Sequence, residues 1–203
     1  MNKKTIGIGL LSFALIILII LVETNLIASF DSAAYNLLSS NMSDGLTNIV
    51  KSITFFGDVK FIVPVLFLSV IIGAVLNEIK SGAIVAIFVI VSDLIKTILK
   101  IIIHRPRPEV LHLVQEGGFS FPSGHAMAAA SLSGILIYLI LKSEMNRNLK
   151  IVLSSILALM ALLIGLSRIY LGVHYASDVL GGFIISSILL LIIISINEKK
   201  EYF

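Results

Sequence analysis

Cysteine is absent from the chain, which excludes disulfides and thiolate metal sites and leaves the redox compartment unread. Charge is scarce as well. Asp, Glu, Lys and Arg make up 13% of the 203 residues, about half of the ~25% usual in a soluble domain. The net charge of +3 is small, and several basic residues flank apolar runs, so no nucleic-acid partner is indicated. Period-two alternation is missing from the apolar segments, which disfavours a membrane barrel. The sequence carries no internal repeat, low-complexity stretch or interdomain linker.

What the chain does have is apolar length: 58% of its residues are hydrophobic and its mean hydropathy is +1.07. Six runs approach the ~20 residues that cross a bilayer core at 1.5 Å rise each. They are Thr5–Val22, Phe61–Leu76, Ser81–Leu99, Ala126–Leu141, Ile151–Leu166 and Val179–Ile196. This pattern predicts an all-α bundle of six transmembrane helices, forming a single integral membrane domain over residues 1–203. The first run follows "MNKK" but lacks a small-x-small cleavage site, so it reads as an uncleaved span. In the longest loop, Glu23 to Lys60, Leu46, Ile49, Val50 and Ile53 fall at helical spacing behind Ser43 or Asp44 as cap. That predicts a short amphipathic helix covering the bundle or lying on the membrane surface. Ser32 and the "AAYNLL" run that follows predict another short helical piece. Asp93 precedes Lys96 by three residues and Lys100 by seven, so it is expected to pair with a base along one helical face.

Six spans put both termini on one side of the membrane. That side collects Lys3, Lys4, Lys80, Lys142, Arg147, Lys150, Lys199 and Lys200. The opposite side holds Lys51, Lys60, Lys96, Lys100, Arg105, Arg107 and Arg168, most of them clustered around Pro- and His-containing loops where a special task accounts for them. The remaining basic bias places both termini in the cytoplasm and the His-containing loops outside the cell membrane.

Three polar clusters share that outer side. In "KIIIHRPRP", Lys100 to Pro108, the two prolines end a helix near His104 and leave Arg105 and Arg107 on a stiff segment. In "PSGH", Pro122 suits the approach to a helix, Ser123 offers a capping hydroxyl, and Gly124 allows close access to the backbone. A helix N-terminus there presents free N–H groups to an anion, with His125 beside it. In "SRIYLGVHYASD", Ser167 to Asp178, His174 and Asp178 are four apart and so expected to be adjacent on a helical face, where the carboxylate can fix one ring nitrogen and free the other as nucleophile. Arg168 adds a fork of donors suited to phosphate oxygens. The spacing suits zinc poorly. Phosphoryl transfer needs cations on the equatorial oxygens, an in-line nucleophile and a proton for the leaving oxygen, and these clusters supply all three.

Together the clusters resemble the three signatures of the type 2 phosphatidic acid phosphatase (lipid phosphate phosphatase) superfamily, K-x6-RP, PSGH and SR-x5-H-x3-D. Every specified position is filled in order: Lys100 with Arg107-Pro108, then Pro122-Ser123-Gly124-His125, then Ser167-Arg168 with His174 and Asp178. The short chain and compact outer loops are similar to bacterial phosphatidylglycerophosphatase and undecaprenyl-diphosphatase members. The resemblance implies catalysis by His174 as the nucleophile forming a phosphohistidine, Asp178 as its orienting partner, and His125 as the acid that protonates the leaving oxygen. His125, His174 or the Asp178–His174 pair is left to assist water in the second step. Lys100, Ser123, Gly124, Arg107 and Arg168 would hold the phosphoryl oxygens. Arg105 lies outside the signatures and is expected at the substrate headgroup.

The implied activity is a lipid phosphatase without metal or other cofactor, acting on phosphatidylglycerophosphate, undecaprenyl diphosphate, phosphatidic acid or a related lipid phosphate. A phosphotransferase would share every motif, and a lipid-binding or transport protein would keep the basic pocket without needing His174. The superfamily also contains soluble vanadium haloperoxidases, against which the membrane spans argue.

Overall fold

The computed structural model of the chain describes residues 3–200, with the side chains of Lys199 and Lys200 outside the described set. Among the described residues eight helices follow one another: α1 (Lys3–Glu23), α2 (Ala28–Ser39), α3 (Asp44–Phe55), α4 (Val59–Val75), α5 (Ile79–Ile103), α6 (Gly124–Lys142), α7 (Arg147–Tyr170) and α8 (Ala176–Lys200). Six helical stretches are long and apolar enough to cross a membrane, α3 and α4 counting as one of them. The expected all-α, six-span architecture is therefore what the chain forms.

Local chemistry sets the helix ends. Ser43 caps α3 by accepting the Leu46 N–H, and Asp58 caps α4 by accepting the Lys60 N–H at 2.8 Å. Asn146 accepts from the N–H groups of Asn148 and Leu149 at the start of α7. α5 stops where His104 turns left-handed at φ 49, just before the Pro106–Pro108 segment. The loop after α1 holds the two predicted short helices, α2 and the amphipathic α3, and both pack onto α7.

α6 is the central helix, touching α5, α7 and α8, while α4 packs on α5 and α1 on α8. Ile62, Leu66, Val85, Phe88, Val89, Leu132 and Ile135 form a buried cluster across α4, α5 and α6. Serine hydroxyls tie α5, α6 and α8 together: Ser92 to Ser131 at 2.7 Å, Ser131 to Ser186 at 3.0 Å, and Ser186 to the Met127 carbonyl at 3.0 Å. Such interhelical bonds are the polar cement of bundles in lipid. Leu10, Phe13, Phe67, Ile98 and Ile102 are each more than half exposed. In a bilayer these faces meet acyl chains, so their exposure carries no penalty.

Lys4 and Glu198 pair, so the start of α1 and the last turns of α8 lie at one end of the bundle. The C-terminal ends of α5 and α7 meet the N-terminal ends of α6 and α8 at the other. Three otherwise distant segments, 100–108, 116–125 and 168–178, are thereby brought together. The loop that joins the first two of them is tied tightly to the third. Leu113 N–H donates to the Leu171 carbonyl at 3.0 Å, and Gly172 sits at φ +75 with any Cβ only 2.2 Å from the Leu111 carbonyl oxygen. Gly172→Ala is expected to destabilise the fold by about 1–3 kcal/mol through the strained φ alone, and by more through the clash. Thermal unfolding in detergent, read as a lowered Tm, checks this; an unchanged Tm contradicts it.

Candidate active site

The site forms around His174 and Asp178. α7 ends at Tyr170 and α8 begins at Ala176, so His174 lies in the connecting turn rather than on a shared helical face with Asp178. The spacing of four still brings them together, with Nδ1 of His174 3.4 Å from Oδ2 of Asp178. Both side chains are buried. The same oxygen accepts the Tyr175 N–H at 2.9 Å and a close bond from the Ser120 hydroxyl. With Nδ1 turned to Asp178, Nε2 of His174 faces Arg107, 3.3 Å from Nη1. Burial pushes the His174 pKa down to about 4, against a smaller upward pull from Asp178. Burial also lowers the pKa of Arg107.

Lys100, in the last turn of α5, donates to the carbonyls of Phe119 and Ser120. Arg107 is clamped by carbonyls, donating to Gly117 at 2.7 Å, Val173 at 2.7 Å and Gly118 at 3.1 Å. Arg168 is buried, donating to Thr54 Oγ1 at 2.8 Å and closely to Glu116, while its Nε has no partner. Glu116 also lies 3.7 Å from Arg107 and 3.8 Å from His125. The other ring nitrogen of His125 is 3.8 Å from Asp58.

Ser123 occupies the N-cap of α6 but its hydroxyl does not cap. Its Oγ is fully buried and has no hydrogen-bond partner, while its N–H donates to the Asp178 carbonyl at 3.1 Å. Gly124 leaves room for the Lys96 stem, which a Cβ would approach to 3.2 Å. Gly57, in the turn between α3 and α4, lets the backbone of His125 come close; a Cβ there would lie 2.6 Å from Ile164 and 3.2 Å from the His125 carbonyl oxygen. Lys100, Arg107, Glu116, Gly124, His125 and His174 line one end of a cavity of about 570 Å³.

Arg105 departs from expectation. It is not among the residues lining that cavity; its guanidinium bridges Asp31 at 2.7 Å and Asp178 at 2.6 Å, over the Tyr175 ring. Two buried carboxylates hold it there. The Asp93–Lys96 pair forms as expected. Sequence reasoning missed Ser120, Glu116, Asp58, Thr54 and Asp31. Asp31 alone left a signal, as an acid inside the apolar "ASFDSAA" run; Thr54 is one residue of α3 and the others sit in loops, where nothing distinguishes them.

A family model of the PAP2 superfamily matches residues 81–202, more than half of the chain. The chain belongs to the PAP2 superfamily. Over 193 residues this PAP2 chain is 33% identical to phosphatidylglycerophosphatase B of Bacillus subtilis strain 168, covering 93% of each chain. The crystal structure of a transmembrane PAP2-type phosphatidylglycerolphosphate phosphatase from Bacillus subtilis is similar with a TM-score of 0.88 at 30% identity, over 95% of this chain and 96% of that one. LpxE of Aquifex aeolicus shares the fold at a TM-score of 0.66 and 23% identity, over 82% of this chain and 95% of its own. These likenesses and the apolar helices make the chain a multi-pass membrane protein.

The buried position of His174 sets a pH expectation. A pKa lowered from 6.5 to about 4 keeps the imidazole neutral above that pH and protonates it only below. Nitrogen-15 NMR of histidine-labelled protein in micelles should show a neutral His174 at pH 5.5, where a free imidazole is mostly charged. An imidazolium signal for His174 at that pH contradicts the buried geometry.

Proposed function

We propose that this PAP2-superfamily membrane protein is a lipid phosphatase that hydrolyses the phosphate monoester or diphosphate of a membrane lipid through a phosphohistidine at position 174. The observation that carries the reading is the two-sided lining of the cavity. One end holds Lys100, Arg107, His125 and His174; the walls continue through Ile62, Val63, Leu66, Val89 and Ile90 between α4 and α5. A lipid fits this layout with its phosphate among the cations and its chains against the apolar wall. Leaving the chains in an apolar setting avoids about 0.8 kcal/mol per CH₂ exposed to water.

In the first step the Nε2 lone pair of His174 attacks phosphorus, and the bond from phosphorus to the lipid oxygen breaks. The departing oxygen takes that electron pair and a proton from His125, while Asp178 holds the Nδ1–H of the phosphorylated ring. In the second step water attacks phosphorus and the N–P bond breaks, its electron pair returning to Nε2. His125 takes the water's proton, and inorganic phosphate leaves. Lys100, Arg107 and Arg168 neutralise the equatorial oxygens, so the chain's own cations supply the charge that a metal otherwise provides. The partnerless Ser123 hydroxyl and Arg168 Nε, with the Gly124 N–H at the start of α6, are unused donors for those oxygens. The basic bias of the loops supports cytoplasmic termini and an outward-facing site, so that lipid reaches the site from the outer leaflet of the cell membrane.

Phosphatidylglycerophosphate leads the substrate panel because the similar Bacillus subtilis protein is named for that activity. Purified protein in nanodiscs should release phosphate from at least one of phosphatidylglycerophosphate, undecaprenyl diphosphate, phosphatidic acid and diacylglycerol diphosphate. Chelator should leave the rate intact and vanadate should suppress it. His174→Ala should reduce turnover by about 10⁴-fold or more, as loss of a catalytic nucleophile does. A rate abolished by chelator overturns the metal-free mechanism. Lipid binding or movement that persists undiminished in His174→Ala, with no phosphate released by either protein, favours a binding or transport protein. Phosphoryl transfer to an alcohol in place of water identifies a phosphotransferase.

A further inference from the structure

Asp31 lies on α2, in the loop between the first two spans, far in sequence from every signature residue. It is 2% exposed, and a carboxylate is buried only where its charge and lone pairs are satisfied. All of its partners come from the catalytic segments. Oδ1 accepts the Ser177 N–H at 2.8 Å; Oδ2 accepts the Ser177 hydroxyl at 2.7 Å and Arg105 Nη2 at 2.7 Å. Arg105 in turn donates through Nη1 to Asp178 Oδ1 at 2.6 Å and to Ser177 Oγ at 2.7 Å, with its guanidinium 3.9 Å above the Tyr175 ring. One cation therefore stands between two buried carboxylates, one of which orients the nucleophile.

The two oxygens of Asp178 divide the work. Oδ1 is held by Arg105, and Oδ2 faces His174 Nδ1, Ser120 and the Tyr175 N–H. Fixing Oδ1 fixes the carboxylate plane, and with it the direction from which Oδ2 meets the imidazole. Asp31 also draws off part of the Arg105 charge. Without it the whole cation would bear on Asp178 and weaken its hold on the Nδ1–H of a ring that gains positive character on phosphorylation.

We infer that Asp31 is a positioning residue for catalysis, acting through Arg105 and Ser177 to hold Asp178 against His174, so that α2 is part of the active site rather than a cover over the bundle. The inference rests on the phosphatase reading.

The test compares unmodified protein, Asp31→Asn and Asp31→Glu in nanodiscs, with rates normalised to the folded fraction. Asp31→Asn should lower kcat by about 10- to 100-fold, the range typical when an outer-shell partner that orients a metal ligand is lost, with KM little changed. Asp31→Glu, which keeps the charge, should recover part of that loss. If Asp31→Asn does not fold, the double variant Asp31→Asn with Arg105→Gln removes both charges of that pair, leaves Asp178 to the Ser120 hydroxyl, the Tyr175 N–H and His174, and should be equally slow. Normal kcat per folded molecule in a charge-removing variant overturns the inference, as does a defect confined to KM. Should the unmodified protein hydrolyse none of the lipids, the phosphatase reading fails, and vanadate affinity by calorimetry still decides the arrangement. Weaker vanadate binding in Asp31→Asn upholds the link to His174; equal affinity overturns it.

Discussion

Charge compensation in a low-dielectric bundle is the constraint on which the site depends. Four cations, Lys100, Arg105, Arg107 and Arg168, converge at one end of a membrane protein where solvation is poor. None stands alone. Arg105 lies between Asp31 and Asp178, Arg168 against Glu116, Arg107 within a ring of carbonyls, and Lys100 on the carbonyls of Phe119 and Ser120. Removing one partner of such a buried pair strands the other, at several kcal/mol, which is why the loops between spans follow so defined a course.

The same constraint shapes the chemistry. Hydrogen bonds and ion pairs fixed before substrate arrives need little reorganisation when charge develops on phosphorus. Helix ends do much of the positioning: α5 and α7 end at the site while α6 and α8 begin there, so N–H groups and basic side chains face a common volume. The carbonyl clamp fixes Arg107 at that volume, and Gly57 lets the His125 backbone approach it closely. Glu116 balances Arg168 and Arg107, giving the cations an anionic partner within the protein itself.

Much of this was legible in the sequence. The six spans follow from apolar length, and the two short helices from the spacing of Leu46, Ile49, Val50 and Ile53 and from the "AAYNLL" run. The stop at His104 follows from the prolines behind it. The family signatures named Lys100, Arg107, Ser123, His125, Arg168, His174 and Asp178, and the fold gathers all of them. Side-chain partnerships were less legible. Arg105 was expected at the headgroup because its partner Asp31 lies 74 positions away, a separation no local pattern spans. Ser123 looked like a hydroxyl cap, yet its oxygen is buried and unbonded at the start of α6. Ser120 and Glu116 sit in a polar loop whose course depends on tertiary contacts, such as Leu113 with Leu171, rather than on local propensity.

The account turns on a covalent bond from phosphorus to one imidazole. Rapid quenching of the protein with phosphorus-labelled lipid, followed by peptide mapping under alkaline conditions that preserve phosphohistidine, tests it most directly. The account predicts label on His174, formed and discharged at rates that match turnover. Hydrolysis at full speed with no label on His174 would contradict it.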